Sequence, residues 1–276
     1  MELKDKVAIV TGAGRGIGFG IASVMAREGA HVVITDINLE TAEDAVRQIE
    51  AKGGHAAAIK ADVSRADDNA AMVQLAKQRF GGLDILVNNA GIEAPPRELK
   101  EIPEAQWDRV TGINLRGVYL CCKAAIPALI ERGGGSIVNI ASLAGQRMTF
   151  FGSADYTAAK HGVVGLTYHL AWELAEHRIT VNAICPGAVL TPLAEKNATP
   201  EFREMVTKRL IPLGRWCTPD DIGETASFLA SPRAGLITGQ AISVDGGLMT
   251  GYGEDLRPIL KQRMAAMQTS HTAGHE

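Results

Sequence analysis

The stretch VAIVTGAGRGIGFGIASV, residues 7–24, passes from a short apolar run into a helical pattern through a turn that is rich in glycine. Its key glycines are Gly12, Gly16 and Gly18. Glycine lets the backbone turn tightly and approach a pyrophosphate, whose charge then lies at the positive end of the following helix. A tight turn without any ligand would use the same residues. The motif therefore predicts a strand, a turn and a helix, and it leaves two interpretations open, a dinucleotide site and a purely structural turn.

Beyond this turn, short apolar runs alternate with longer amphipathic stretches along most of the chain. The further apolar runs are HVVITD, AAAIKADV, LDILVNNAG, GSIVNIAS, RITVNAICPG and GQAISVDGG. Strands that alternate with helices form βαβ units and a parallel sheet, and strands that are almost continuously apolar are covered by helices on both faces. The sequence therefore predicts a doubly wound, Rossmann-type α/β fold with three layers, α/β/α, and seven parallel strands in a single domain.

We expect this domain to span residues 1–250. It contains several segments that are longer than the alternating strands and helices. Two long helices are predicted, from residue 104 to about Glu131 and from about Ala154 to Glu176. Residues 188–215 interrupt the alternation with a long, partly helical segment of the kind that often forms a lid. The tail, residues 251–276, is expected to be partly helical, from about Leu256 to Met267, and either caps a partner subunit or is an untethered terminus.

Composition narrows the class of function. A net charge of −3 and a pI of about 6.2 provide no basic field, so neither nucleic-acid binding nor binding to an anionic membrane is supported. The first residues do not resemble a signal peptide, and we expect no later apolar segment to reach membrane length, so we expect a cytoplasmic protein. The four cysteines, Cys121, Cys122, Cys185 and Cys217, show neither a C-x-x-C pair nor a histidine-spaced pattern, which predicts neither disulfides nor a metal site.

Two carboxylates extend the dinucleotide interpretation. Asp36 ends the second apolar run, where it can accept hydrogen bonds from both ribose hydroxyls of an adenosine and repel a 2′-phosphate. This favours NAD over NADP, although Arg15 in the glycine turn offers a phosphate a cation. Asp62 follows the third run, where it either accepts a hydrogen bond from the adenine amino group or caps the next helix.

The stretch YTAAK, residues 156–160, places a tyrosine one helical turn before a lysine. Positions four apart share a helix face, so Tyr156 and Lys160 can point into one cleft and perform acid/base chemistry. A packed ring and a solvated amine is the other interpretation. The neighbouring His161 points about a hundred degrees away around the helix, which favours packing or an interface over catalysis.

Taken together, TGAGRGIG, NNAG at 88–91, GINLRG, NIASLAG, YTAAK and the Pro-Gly pair at 186–187 resemble a short-chain dehydrogenase/reductase over residues 4 to about 247. The resemblance implies a nicotinamide cofactor. It also implies a catalytic set of Asn114, Ser142, Tyr156 and Lys160. The patterns and the resemblance predict the following cofactor-binding residues: Gly12, Arg15, Gly16, Ile17, Gly18, Asp36, Asp62, Val63, Asn89, Ala90, Gly91, Tyr156, Lys160, Pro186, Gly187, Val189 and Thr191.

The chemistry of the catalytic set can be argued from its side chains. Removing a hydride from a carbinol carbon requires a base for the hydroxyl proton, and Tyr156 is the candidate. A nearby lysine cation is expected to lower the pKa of the phenol, and Ser142 can hold the substrate oxygen. By resemblance, Lys160 also binds the nicotinamide ribose and Asn114 holds a water in a proton relay. Tyr156 follows Ser142 by fourteen positions, one more than is usual in the family, which we interpret as a longer loop unless it displaces Ser142.

These residues predict an NAD(P)-dependent enzyme that interconverts a secondary alcohol and a ketone. The pocket walls are expected at 92–103, 143–153 and 188–215, where Met148, Phe150 and Phe151 suggest an apolar substrate body and Arg147 is either an anion ligand or a solvated side chain. Sugars, cyclic or steroid-like alcohols and 3-oxoacyl thioesters remain open as substrates. A non-catalytic nucleotide sensor is the alternative from another class. The resemblance also implies a homotetramer joined through the two long helices.

Overall fold

The computed structural model describes residues 1–94, 97–148 and 152–250. The predicted tail helix and the two phenylalanines Phe150 and Phe151 lie outside the described residues.

Seven strands form one parallel sheet in the order β3-β2-β1-β4-β5-β6-β7. They are β1 Val7–Thr11, β2 His31–Asp36, β3 His55–Lys60, β4 Ile85–Asn88, β5 Gly135–Ile140, β6 Ile179–Pro186 and β7 Ala241–Val244. Every neighbouring pair runs parallel. The predicted seven-stranded, doubly wound sheet is confirmed.

Helices cover both faces of the sheet. They are α1 Gly16–Arg27, α2 Leu39–Glu50, α3 Ala66–Phe80, α4 Glu104–Thr111, α5 Gly117–Glu131, α6 Ala154–Glu173, α7 Pro192–Asn197, α8 Pro200–Leu210 and α9 Pro219–Ala230. Successive side chains of a strand point to opposite faces. In β1, Val7 and Ile9 accordingly join the core with α3, α5 and α6, whereas Ala8 and Val10 join the core with α1, α2 and α9. The three predicted layers are therefore present.

The first long helix contains an irregular turn. The predicted helix 104–131 is present as α4 and α5, joined by a π-helical segment, Gly112–Arg116. The second long helix, α6, ends at Glu173 and is followed by a 3₁₀ turn, Ala175–His177. A single π turn inserted into an α-helix often marks a functional site, and this one contains Asn114.

The expectation that no later segment reaches membrane length was wrong by the test of length and composition. Glu104–Glu131 is long and apolar enough to cross a membrane, with a mean hydropathy of 1.4 over its most apolar window. Half of that window is buried inside the protein, and Cys121, Cys122 and Leu129 of α5 belong to the core. The core helix of a soluble protein passes the same test, so its apolar character is explained by packing against the sheet.

The strand order creates a crevice at the carboxyl edge of the sheet. From β1 the chain moves outward to β2 and β3, then returns to place β4 on the other side of β1. Ligands of open α/β sheets bind where the order reverses in this way, outside the carboxyl ends of the strands. The predicted lid segment, 188–215, contains α7 and α8 and follows β6 at the same edge.

Candidate active site

The glycine turn has the backbone that its sequence predicts. Gly12 and Gly16 have φ angles of 61° and 59°, in the left-handed region that favours glycine. A Cβ on Gly12 would lie 2.9 Å from Cα of Ala90, so the turn after β1 packs tightly against the turn after β4. Gly18 also meets this turn, because its Cβ would lie 2.3 Å from the carbonyl oxygen of Gly12.

The first turn of α1 is open to an anion. Arg15 occupies the N-cap and its side chain makes no capping hydrogen bond, while Ile17 is partly buried and packs against the core. The first amide groups of a helix have no partner within the helix and carry partial positive charge. The amides at Gly16, Ile17 and Gly18 are therefore suited to the pyrophosphate of a dinucleotide.

Asn89 and Thr11 hold the glycine turn in place. The Asn89 amide donates to the carbonyl oxygens of Thr11 and Gly12, at 2.9 and 3.1 Å. The Thr11 hydroxyl accepts from the backbone N–H groups of Asn89 and Ala90, both at 3.0 Å. The sequence analysis assigned Asn89 and Ala90 to the cofactor and did not single out Thr11. These hydrogen bonds show that all three residues also stabilise the glycine turn.

Asp36 is fixed beside the glycine turn by two backbone hydrogen bonds. Its Oδ2 accepts from the N–H of Gly14 and its Oδ1 from the N–H of Asn38, both at 3.1 Å. The following side chain, Ile37, is 66% exposed, and Arg15 is exposed on the turn. The carboxylate is therefore held at the end of β2, the position that the sequence predicts for binding an adenosine ribose.

Asp62 does not cap a helix, so that alternative was wrong. Its Oδ1 accepts from the backbone N–H and the hydroxyl of Ser64, at 2.9 and 2.7 Å, and α3 begins later, with Arg65 at its N-cap. The Ser64 hydroxyl is the main cause that lowers the pKa of Asp62. The next side chain, Val63, is buried in the core, where a Cβ on Gly117 would lie 2.9 Å from it. Val63 can therefore contact a cofactor only through its backbone.

The residues that follow β6 close the other side of the crevice. Gly187, after Pro186, packs against Asp245, since a Cβ there would lie 2.8 Å from the Asp245 side chain. Val189 is buried and forms a bridge with Cys217. Thr191 caps α7 by accepting from the N–H of Ala194 at 3.1 Å, and its methyl group lies 3.8 Å from the position of a Cβ on Gly16. Thr191 therefore faces the glycine turn across the crevice.

Tyr156 and Lys160 meet at the carboxyl end of β5. Lys160 is only 4% exposed, and its Nζ donates to the carbonyl oxygen of Ile140 at 2.9 Å. The same Nζ lies 5.6 Å from the centroid of the Tyr156 ring. The alternative of a packed ring beside a solvated amine was therefore wrong, because the amine is buried and directed into the protein.

Ser142 lies next to the phenol. It continues from β5 with an extended backbone, and its Oγ accepts from the N–H of Ala144 at 3.1 Å. A hydrogen bond between Ser142 and the Tyr156 phenol lowers the pKa of the phenol. The extra residue between Ser142 and Tyr156 has therefore not displaced the serine.

The net pKa shift of Tyr156 is opposite to the expected one. Burial raises the pKa of Tyr156, the Glu93 carboxylate raises it further, and the hydrogen bond with Ser142 opposes them without prevailing. Burial also lowers the pKa of Lys160 to about 8, against the charges of Cys185 and Glu93. The expected direction of the Tyr156 pKa shift was wrong, because desolvation disfavours the charged form of the phenol and is the largest cause of its shift.

Asn114 is fully buried and its amide binds only backbone. Its Oδ1 accepts from the N–H of Ile92 at 3.1 Å, and its Nδ2 donates to the carbonyl oxygens of Ile92 and Val110, at 2.9 and 3.0 Å. A Cβ on Gly91 would lie 2.5 Å from Asn114 Oδ1. Gly91 thus makes room for Asn114, and Asn114 fixes the backbone that follows β4. The water relay that the resemblance implies stays a prediction.

Two carboxylates near the pair were not predicted. Asp155 is fully buried and accepts hydrogen bonds from the Ser153 hydroxyl, from the N–H of Tyr156 at 2.7 Å and from the Gln106 amide at 2.9 Å. Glu93 acts electrostatically on both Tyr156 and Lys160. Asp155 adjoins Tyr156 in sequence, but nothing in the local pattern distinguishes a buried carboxylate from a solvated one.

Other candidate residues lie apart from this chemistry. His161 is exposed and its Nδ1 lies 3.0 Å from the carbonyl oxygen of Thr157, so it does not pack in the core, and a role in an interface stays a prediction. Arg147 is exposed and donates to the carbonyl oxygen of Leu248 at 3.4 Å. The described residues contain no group of three or more His, Cys, Asp or Glu side chains that could hold a metal ion.

Comparison with known proteins gives the site a context. The family model described as enoyl-(acyl carrier protein) reductase matches residues 12–249. Cyclohexanol dehydrogenase from Acinetobacter sp. (strain SE19) is 40% identical over 245 residues, which cover 89% of this chain and 95% of that protein. The 3-oxoacyl-[acyl-carrier-protein] reductase FabG from Staphylococcus aureus is 42% identical over 244 residues, covering 88% and 98%.

A solved structure from Sinorhizobium meliloti 1021, described as a candidate short-chain alcohol dehydrogenase, has the same fold. Its TM-score is 0.84 at 39% sequence identity, and the match covers 91% of this chain and 98% of that one.

Proposed function

The chain belongs to the short-chain dehydrogenase/reductase family, whose members are NAD(P)-dependent oxidoreductases, and we propose that it interconverts a secondary alcohol and a ketone. The observation that carries this proposal is the meeting of Tyr156, Ser142 and Lys160 at the carboxyl end of β5. A phenol that shares a hydrogen bond with a serine and lies beside a buried ammonium can exchange a proton with a substrate oxygen.

Tyr156 is the acid and base of the proposed reaction. In oxidation the phenolate takes the proton of the substrate hydroxyl, and in reduction the phenol returns a proton to the substrate oxygen. Because burial raises the pKa of Tyr156, the protein holds the acid form at neutral pH, and oxidation is expected to become faster as the pH rises. Ser142 can donate its hydroxyl proton to the substrate oxygen and share the charge that develops there.

The residues of the crevice fit a nicotinamide dinucleotide. The open first turn of α1 suits the pyrophosphate, and Asp36 suits the adenosine ribose. An ammonium has three donors, and Lys160 uses one of them on Ile140, so two remain for the nicotinamide ribose hydroxyls. When bound, the nicotinamide supplies the acceptor or donor of the hydride.

We favour NAD over NADP because of the charges around Asp36. A 2′-phosphate on the adenosine ribose would approach the fixed carboxylate of Asp36, and the two negative charges would repel each other. Ile37 next to it is apolar and exposed, so the chain offers no cation at that position. Arg15 is the one nearby cation on the glycine turn, and it favours a phosphate.

We further propose that the chain forms a homotetramer through its two long helices. On α6, Tyr168 and Trp172 lie one turn apart and are 52% and 82% exposed. On α5, Tyr119 is 46% exposed. Large aromatic side chains on one helix face are typical of buried subunit contacts, and a second copy of the chain would cover them.

Reduction of a 3-oxoacyl thioester is the second candidate reaction. It is favoured by the identity of 42% to the 3-oxoacyl-[acyl-carrier-protein] reductase of Staphylococcus aureus along almost the whole length of that protein. The same Tyr156, Ser142 and Lys160 would serve this reaction, since it also converts a ketone into a secondary alcohol.

An assay of nicotinamide absorbance tests the proposed function. The purified protein is incubated with NAD or NADP and a panel of secondary alcohols, sugars and hydroxyacyl thioesters at neutral and alkaline pH. Turnover with an alcohol and NAD supports the main proposal, and a preference for hydroxyacyl thioesters supports the second candidate. NAD binding without any turnover would contradict both and favour a nucleotide sensor.

A further inference from the structure

The backbone just before α6 packs directly against the ring of Tyr156. A Cβ on Gly152 would lie 2.9 Å from Cδ1 of that ring, so there is no room for a side chain between them. Gly152 is followed by Ser153, which is the N-cap of α6 and is buried. The position of the ring therefore depends on how Gly152 and Ser153 are fixed to the first turn of α6.

The Asp155 carboxylate fixes these two residues to the helix. Its Oδ1 accepts a hydrogen bond from the Ser153 hydroxyl and another from the N–H of Tyr156, the latter at 2.7 Å. The first amide groups of a helix have no partner within the helix, and the hydroxyl of a serine N-cap usually binds one of them. Ser153 makes no such capping bond. The carboxylate performs this role instead, and it joins Ser153 to Tyr156.

The second carboxylate oxygen connects α6 to α4. Oδ2 of Asp155 accepts from the amide of Gln106 at 2.9 Å. Asp155 is fully buried, whereas Gln106 is half-buried. Burial opposes ionisation of Asp155, but its hydrogen bonds with Ser153, Gln106 and Tyr156 outweigh burial and lower its pKa. The group is therefore a buried carboxylate that only accepts hydrogen bonds and that depends on these three donors.

We propose that Asp155 is a positioning residue that holds the Tyr156 ring where its phenol meets Ser142, and that Gln106 of α4 is its partner. This inference rests on the proposed function. A general acid/base must lie within hydrogen-bond reach of the reacting oxygen, and a small displacement of a reacting group lowers the rate steeply. Asp155 acts through the backbone of Gly152 and Tyr156. It should therefore affect turnover more than cofactor binding, since most of the proposed cofactor contacts lie on other elements.

An exchange of donor and acceptor between α4 and α6 tests this pair. Gln106→Glu places a second carboxylate against the first, so neither group can donate, and its half-buried position lets the new side chain turn toward water. Asp155→Asn keeps an oxygen for Ser153 and Tyr156. The double variant pairs the introduced amide with the introduced carboxylate and so restores one donor and one acceptor. Gln78→Glu is the control, because Gln78 is exposed on α3.

The measurements are kcat and KM for an alcohol that the wild type oxidises, together with the Kd of NAD. Gln106→Glu should lower kcat by about tenfold, the size of a lost hydrogen bond to a charged group, and should leave NAD binding unchanged. The double variant should recover most of this loss, Asp155→Asn should lose less than Gln106→Glu, and Gln78→Glu should match the wild type. A wild-type kcat in Gln106→Glu, an equal loss of NAD affinity, or a double variant no faster than Gln106→Glu would overturn the proposal.

Hydrogen exchange tests the same contacts without any substrate. The peptide that covers residues 152–160 should exchange faster in Gln106→Glu than in the wild type, and the double variant should restore its protection. Unchanged exchange in Gln106→Glu would also overturn the proposal. If exchange follows the expected pattern while the wild type turns over no substrate, the proposed function fails instead, because Asp155 would then hold Tyr156 without serving the reaction.

Discussion

At the residue scale, Lys160 carries a titratable amine in a place almost closed to solvent. Burial lowers its pKa from 10.5 to about 8, against the charges of Cys185 and Glu93. Between these two values the unfolded chain binds a proton that the folded protein has lost, so stability rises with pH across this window. Below pH 8 the folded protein holds a buried cation, which lowers the free energy of unfolding by about 3 kcal/mol. The position therefore favours function over stability.

Lys160→Met should remove that cost together with the activity. We expect the free energy of unfolding at pH 7 to rise by about 1–3 kcal/mol, because the lost hydrogen bond to Ile140 offsets part of the gain. The gain should shrink as the pH approaches 10.5. Urea unfolding of the variant, the wild type and the exposed control Lys123→Met at several pH values measures it. A less stable Lys160→Met protein at pH 7 would show that the hydrogen bond outweighs the burial of the charge.

Asp36 is the residue on which the choice of cofactor depends. Asp36→Asn keeps its shape and removes the charge that repels a 2′-phosphate. The ratio of kcat/KM with NAD to that with NADP should fall by about 10- to 100-fold, in line with a hydrogen bond to a charged group. Glu40→Gln, an exposed carboxylate nearby on α2, serves as the control. A ratio that does not change in Asp36→Asn would contradict the assigned role.

At the element scale, the π turn between α4 and α5 explains why Asn114 can reach the segment after β4. In an α-helix, the N–H of Asn114 would bind the carbonyl oxygen of Val110. Here the side-chain amide binds that carbonyl at 3.0 Å and also binds Ile92. The irregular turn thus connects the first long helix to the segment that follows β4.

Gly91→Ala tests this connection. Its Cβ would lie 2.5 Å from Asn114 Oδ1, so the amide or the segment after β4 must shift. We expect a loss of about 1–3 kcal/mol in the free energy of unfolding, as for overpacked cores, together with reduced turnover. Gly112→Ala in the same π turn is the control, because nothing lies within 4 Å of its added Cβ. Equal stability and activity for the two variants would mean that the contact at Gly91 is not needed.

The sequence predicted some of these elements and not others, for physical reasons. The strands and the helix pair α4–α5 follow from apolar runs and helical periodicity, and Tyr156 and Lys160 follow from their spacing. The π turn has no local signal, because GINLRG reads as ordinary helix. Glu93 was likewise missed, because its effect depends on tertiary proximity to Tyr156 and Lys160. The pKa of Tyr156 was predicted in the wrong direction because spacing carries no information about burial.

At the scale of the whole molecule, the described surface leaves a pair of aromatic side chains on α6 uncovered. Tyr168 and Trp172 are 52% and 82% exposed, although α6 is also the helix that carries the catalytic pair. If α6 forms a subunit contact, assembly would also support the helix on which Tyr156 and Lys160 lie.

Trp172→Glu should break the proposed tetramer. A charge in the centre of an apolar contact would be buried without a partner, which destabilises association strongly. Light scattering after size-exclusion chromatography should show a tetramer for the wild type and a smaller species for the variant. Leu236→Glu is the control, since Leu236 is 100% exposed and lies outside both long helices, after α9. A monomeric wild type, or a tetrameric Trp172→Glu protein, would contradict the proposed interface.

The sheet order and the crevice beside β1 follow from the βαβ alternation together with the general handedness of such units, so the place of the site could be predicted. Which side chains line its substrate end could not be predicted, because the walls come from segments far apart in the sequence. This is why the sequence indicates the family and the class of reaction but does not identify the substrate.

The most direct measurement compares the turnover of Tyr156→Phe with that of the wild type. Tyr168→Phe, on the exposed part of the same helix, controls for the loss of a hydroxyl group, and NAD binding is measured for all three proteins. We expect Tyr156→Phe to bind NAD and to lose about 10²- to 10⁴-fold in kcat, as for the removal of a general acid/base, while Tyr168→Phe stays near the wild type. A Tyr156→Phe protein that retains most of the wild-type turnover would contradict the assignment of Tyr156 as the proton-transferring group.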